Sequence, residues 1–176
     1  MRQTESTELP YDKKKELQVA FRLFLTDLHL PYFATLNFNK YLSTDAAYFC
    51  LRKFHRELDR TVLGKNFRKL PAEQRTFFIA MPEHLNSNFH YHMLLRAPEV
   101  DSSFYITHAT SLCRKFFPSS SLDITNLIST DDVRRTSFYS CKDMTNQKNY
   151  ENFVISTQFL SNKKNSASPT NTLQFE

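Results

Sequence analysis

Hydrophobic positions along this chain recur first at helical and then at strand spacing. From Asp12 to Leu28, the residues Leu17, Phe21, Phe24 and Leu28 follow a helical period and predict an amphipathic N-terminal helix. Pro31 ends it. The run Tyr32-Phe33-Ala34-Thr35-Leu36-Asn37-Phe38-Asn39 then alternates. Ala34, Leu36 and Phe38 suit a core, while Phe33, Thr35, Asn37 and Asn39 share the opposite, polar face of a first strand. Ser43-Thr44-Asp45 offers an N-cap for a helix whose stripe is Ala47, Leu51, Phe54 and Leu58, and Gly64 stands where a left-handed C-terminal cap is needed.

Thr76 to Met81 is short and apolar and predicts a second strand. Glu83-His84-Leu85-Asn86-Ser87-Asn88 supplies turn residues, so this strand forms a hairpin with the next, Phe89 to Arg96. There Phe89, Tyr91, Met93 and Leu95 face one way, and His90, His92, Leu94 and Arg96 face the other. Ser102 or Ser103 caps a helix carrying Tyr105, Ala109, Leu112 and Phe116, and Leu122 to Leu127 alternates as a fourth strand. Thr130-Asp131-Asp132 opens a helix carrying Tyr139 and Lys142, and Phe153-Val154-Ile155 is the last strand.

This order predicts an α+β fold of the ferredoxin-type sandwich kind, an antiparallel sheet with helices packed on one face. The other face then presents Thr35, Asn37, His90 and His92 as a binding surface. The chain reads as a single domain over residues 1–160 with an extra N-terminal helix at about 12–28, followed by a polar, flexible tail over 161–176 rich in Ser, Asn, Lys and Thr. There are no internal repeats.

Composition narrows the chemistry. One Gly among 176 residues excludes a Walker or dinucleotide glycine pattern. A net charge of +5 fits a polyanionic partner. Cys50, Cys113 and Cys141 lie far apart without zinc spacing, and their odd number argues against a disulfide framework. Without a signal peptide or an apolar run long enough for a bilayer, the expectation is a cytoplasmic protein with no membrane partner. Arg52, Arg56 and Arg60 recur every fourth residue, and a solvated basic face is the favoured reading of that stripe.

His90-Tyr91-His92 carries the main chemical signal, because two imidazoles on alternate strand positions project in parallel and suit a divalent metal. Taken with two other segments, it resembles the HUH endonucleases, specifically the rolling-circle replication initiators. Phe33-Ala34-Thr35-Leu36-Asn37 resembles their motif I, His90-Tyr91-His92 their motif II, and Tyr139-Ser140-Cys141-Lys142 their motif III, in the family's order over residues 32–156. Met93 follows the second histidine where relatives often carry glycine.

The resemblance implies Tyr139 as nucleophile, Lys142 as its catalytic partner, and His90 and His92 as ligands of Mg²⁺ or Mn²⁺. Its third ligand would be Glu83 or His84, with Glu83 preferred because hard cations favour oxygen. Thr35, Asn37 and Arg96 on the working face are expected to contact single-stranded DNA. The implied activity is nicking and joining of single-stranded DNA through a 5′-phosphotyrosine, in replication of a plasmid, phage or mobile element, or in a related transposase or relaxase reaction. Tyr150 lies eleven residues beyond Tyr139, which favours a single-tyrosine enzyme. A separate helicase would open the duplex. As a cation, Lys142 would lower the phenol's pKa or orient phosphate; desolvated, it would act as a base. The rival reading is a non-catalytic nucleic-acid-binding module, its sheet aromatics stacking bases with the arginine stripe near phosphates.

Overall fold

In a computed structural model, residues 10–85 and 87–160 are described; the tail expected over 161–176 lies outside them. The elements run α1 (Tyr11–Asp27), β1 (Tyr32–Asn37), α2 (Thr44–Leu63), β2 (Phe77–Glu83), β3 (His90–Arg96), α3 (Ser102–Phe116), β4 (Ser121–Asn126), α4 (Thr130–Ser140), α5 (Gln147–Glu151) and β5 (Val154–Ile155). The five strands form one antiparallel sheet in the order β4-β1-β3-β2-β5. From β1 to β4 this is the β-α-β-β-α-β arrangement of the ferredoxin-like sandwich, to which α1 and the segment after β4 are added. Among the described residues no helix is long and apolar enough to cross a membrane.

Alternation in the strands decides what each sheet face receives. Ala34, Leu36, Tyr91, Met93 and Leu95 point to one side and bury against Leu51, Phe54 and Leu58 of α2 and Tyr105, Ala109 and Cys113 of α3. Each large apolar side chain fully removed from water there contributes about 1.5–3 kcal/mol. Ser43 caps α2 by accepting a hydrogen bond from the Ala46 N–H at 3.2 Å. Gly64 ends α2 at φ +82°, a backbone that side-chain-bearing residues rarely adopt.

The opposite face is not bare across its whole width, as the sequence pattern alone suggests. Ile79 and Met81 of β2 and Leu94 of β3 are buried there beneath Phe21 and Leu25 of α1, with Cys141, Met144 and Phe153 from the segment after α4. Helices therefore flank both faces, and only the β4–β1 side of the second face stays open. The buried stripe of α1 is Gln18, Phe21 and Leu25, while Phe24, expected to face the core, is 45% exposed. On that side Phe21 and Leu25 enter the apolar cluster and Gln18 finds hydrogen-bond acceptors.

Three further boundaries differ from the sequence pattern. Asp101, not Ser102 or Ser103, caps α3, accepting from the Phe104 N–H at 2.8 Å. β2 runs through Pro82 to Glu83 without a bulge, in continuous register with Tyr91 and His90, so Glu83 is a strand residue and not part of the turn. Helix α4, opened by a Ser129–Asp132 capping box, stops at Ser140 and leaves Lys142 beyond its end.

Candidate metal centre

Sheet register assembles the centre. Reading across the strands, Ser121, Asn37, His90 and Glu83 form one row, and Asp123, Thr35, His92 and Met81 the next. Glu83 and His90 are direct cross-strand partners, and His92 is two residues along the same face. The Glu83 carboxylate lies with its Oε2 3.0 Å from His90 Nε2 and 2.6 Å from His92 Nε2. Glu83, His90 and His92 thus form a buried group that could hold a metal ion, with ligand atoms all within 4.8 Å of one another.

The chemistry of the donors fits that use. His90 Nδ1 lies 2.9 Å from the Asn88 carbonyl oxygen, which only accepts. A proton on Nδ1 would donate to that carbonyl and leave the Nε2 lone pair for a metal ion, whereas a proton on Nε2 would donate to the Glu83 carboxylate. On the other side of His92, Nδ1 lies 3.2 Å from the Thr35 hydroxyl. Metal-binding histidines usually have the ring nitrogen away from the metal held by a polar partner, the place that the Asn88 carbonyl and the Thr35 hydroxyl take here. Burial lowers the His92 pKa to about 4 against the opposing pull of Glu83. The ring is thus uncharged at neutral pH, as a ligand must be.

Burial by itself would raise the Glu83 pKa, but the hydrogen bond from Lys142 and the interaction with His92 outweigh it and bring the carboxyl down to about 2. Since His92 is neutral at pH 7, Lys142 is the cation that keeps Glu83 ionised there. Its Nζ donates to Glu83 Oε1 at 2.7 Å, the oxygen turned away from the histidines. That hydrogen bond, with a smaller contribution from Tyr139, raises the Lys142 pKa. The side chain is therefore an ammonium, not a free amine.

Tyr139 closes the group from α4. Its ring meets the His92 ring edge to face at 4.9 Å and the Phe33 ring at 6.3 Å, and Lys142 Nζ lies 4.3 Å from its centroid. Although Lys142 is outside the helix, its N–H bonds to the Tyr139 carbonyl at 3.1 Å, and this tight turn keeps the two side chains together. Tyr139 is 50% exposed, so its phenol is open to a large ligand. Phe33 stacks on His92 at 5.5 Å and 25°, beside the direct contact of the imidazole with the tyrosine.

Other candidates are distributed unevenly. Thr35 serves as the hydrogen-bond partner of His92, and Asn37 accepts from the Asn39 N–H at 2.8 Å, shaping the end of β1. Arg96 shares the His92 face but lies four residues along β3, about 13 Å away. Its guanidinium covers the Phe77 ring at 5.6 Å and donates to the Glu73 carbonyl. Arg52, Arg56 and Arg60 lie on α2, behind the opposite sheet face, and Arg56 and Arg60 both pair with Glu57. His84 turns out of the strand at φ +52° and lies 3.4 Å from Glu83 Oε1, outside the two-histidine group.

Three residues had no role in the sequence pattern. Asp143 lies with His84 on the far side of Glu83, its pKa raised by burial and by the Glu83 charge. Asp123 is exposed on the open face across from Thr35. Gln18 reaches the turn that carries Lys142. Only Gln18 left a cue, being in helical step with Phe21 and Leu25. Cys141, beside Tyr139, is fully buried, its thiol pushed up to about 12 by burial, which fits a packing role. No family model, curated protein or solved structure matches the chain.

Proposed function

We propose that this protein is a metal-dependent, single-tyrosine endonuclease that nicks and rejoins single-stranded DNA. The observation that carries this reading is the convergence of Tyr139 and Lys142 on the Glu83–His90–His92 group, from a helix end and two strands that are distant in sequence. Neither a structural metal site nor a passive base-stacking sheet requires an exposed phenol and an ammonium beside the ligands.

Glu83, His90 and His92 would hold Mg²⁺ or Mn²⁺, with Asn88 and Thr35 orienting the rings. Two imidazoles and one carboxylate suit Mn²⁺ well and accept Mg²⁺. Bound there, the cation neutralises phosphate charge and polarises the phosphoryl oxygen. Tyr139 supplies the nucleophile: its oxygen bonds to phosphorus as the bond from phosphorus to the 3′-oxygen breaks. The phenol proton leaves to solvent, and the departing oxygen takes one up as a 3′-hydroxyl. One phosphodiester replaces another, so the reverse attack by a 3′-hydroxyl rejoins the strand. Lys142 acts as a cation, because Glu83 keeps it protonated, and from beside the Tyr139 ring it would offset the negative charge of the phosphate under attack. The open side of the sheet, with Thr35, Asn37 and the edge of Phe33, offers the track for the strand.

The test is incubation of the full chain with single-stranded oligonucleotides and Mn²⁺, followed by a denaturing gel. A covalent protein–DNA band that maps to Tyr139 and disappears in Tyr139→Phe supports the reading. Tight oligonucleotide binding with no adduct under any metal would instead favour a non-catalytic binding module. The DNA element it serves is open to the same assay with origin, hairpin and transposon-end sequences.

A further inference from the structure

Helix α1 stands outside the β-α-β-β-α-β body, yet one of its polar side chains enters the active-site turn. Gln18 is 8% exposed on the buried stripe of α1. Its Nε2 donates to the Cys141 carbonyl at 2.7 Å and to the Lys142 carbonyl at 2.9 Å. An amide nitrogen carries two N–H groups, and here two acceptors receive them. These carbonyls follow the end of α4, where a helix leaves its last oxygens without partners in its own ladder. The neighbouring contacts are of the same kind: Phe21 and Leu25 pack against Cys141 and Met144, and Arg22 covers the ring of Phe138, the residue before Tyr139.

We propose that Gln18 is a positioning residue for the strand-transfer reaction: it clamps the Cys141–Lys142 peptide so that the Lys142 ammonium stands between Glu83 and Tyr139. This inference rests on the proposed function. The geometry behind it is direct. Lys142 Nζ lies 2.7 Å from Glu83 Oε1 and 4.3 Å from the Tyr139 ring centroid. The turn that bears this side chain is closed locally by Lys142 N–H to the Tyr139 carbonyl and Met144 N–H to the Cys141 carbonyl, and Gln18 ties it to α1. Rotation of the Cys141–Lys142 peptide carries the root of the lysine with it. A misplacement of about 1 Å at a reacting group costs up to about 100-fold in rate. An ordinary buried glutamine would stabilise the fold equally well, so stability is not the discriminating readout.

The experiment measures single-turnover adduct formation at saturating oligonucleotide and Mn²⁺. Gln18→Leu keeps the volume and removes both donors. Its rate is expected to fall about 10- to 100-fold with oligonucleotide Kd within about twofold of wild type. Phe21→Leu, which loosens the same helix without touching the carbonyls, controls for stability and is expected to react at nearly the wild-type rate below its melting transition. In a Lys142→Ala background, Gln18→Leu is expected to have no further effect, because the two act through one contact. A wild-type rate in Gln18→Leu, an equal loss in Phe21→Leu, or an undiminished Gln18→Leu effect without Lys142 would each overturn the proposal. Failure of the proposed function reads differently: the wild type then forms no adduct. Amide hydrogen exchange at residues 141–144 still reports the clamp in that case; faster exchange in Gln18→Leu supports it, and unchanged exchange overturns it.

Discussion

The two ends of β2 carry polar clusters built from the same residue types, a carboxylate, histidine and a cation, yet they do opposite things. At the start, Asp59 is fully buried: one oxygen accepts from Arg75 Nε at 2.9 Å and the other from the Thr76 N–H at 3.1 Å, while His55 bonds the Thr76 carbonyl. Donors match acceptors, nothing faces solvent, and the cluster latches α2 onto β2. At the other end, the Nε2 atoms of two imidazoles converge on one oxygen of Glu83, with the half-exposed Tyr139 alongside. Burial and charge therefore do not distinguish a structural cluster from a candidate site. What does is whether potential metal ligands converge on one point beside an accessible phenol.

The largest expected difference between the two ends lies in chemistry. Tyr139→Phe and Glu83→Ala should each remove most adduct formation, with partial recovery of Glu83→Ala at high Mn²⁺, whereas His84→Ala stays active. Chelation should stop the reaction while circular dichroism stays unchanged. A sharp loss of folded signal on chelation would put the metal in the same structural role as the Asp59 latch.

Next comes stability. Asp59→Ala strands a buried guanidinium and should cost about 3–5 kcal/mol in urea denaturation. A metal held at the Glu83 end should stabilise the wild type by about 2.7 kcal/mol at one hundred times its Kd. The Asp59→Ala protein should keep that Mn²⁺ increment, and Glu83→Ala should lose it.

A smaller effect is expected with pH. Burial lowers the pKa of His55 below its usual 6.5, despite the opposing pull of Asp59, and that of His92 to about 4. Below pH 6.5 the unfolded chain takes up protons that these rings refuse when folded, so stability falls as pH drops toward 4. His55→Leu should flatten part of that slope and leave the part due to His92. Smallest of all, Asp123→Asn removes an exposed anion from the open face and should tighten oligonucleotide binding by about two- to fivefold at low salt.

Strand alternation was legible in the sequence because it is a local property. The opposite pointing of Tyr91 and His92, or of Ala34 and Thr35, follows from the pleat alone. The apolar period of α2 with its Ser43 cap, and the His90–His92 pair, were legible for the same reason. Helix ends were less so: Asp101 outcompeted two serines for one cap, and α4 stopped before Lys142. Tertiary structure decided the rest. Register set Glu83 opposite His90 and sent His84 out of the strand, because cross-strand pairing depends on where the hairpin turns and not on residue type. The docking of α1 turned Gln18 inward, brought the Lys142 turn against Glu83 and covered half of the face that alternation alone left open. The arginine stripe on α2 went behind the sheet. Such contacts join residues as far apart as Gln18 and Lys142, and no local period encodes them, since they exist only once the sheet and its two layers of helix have packed.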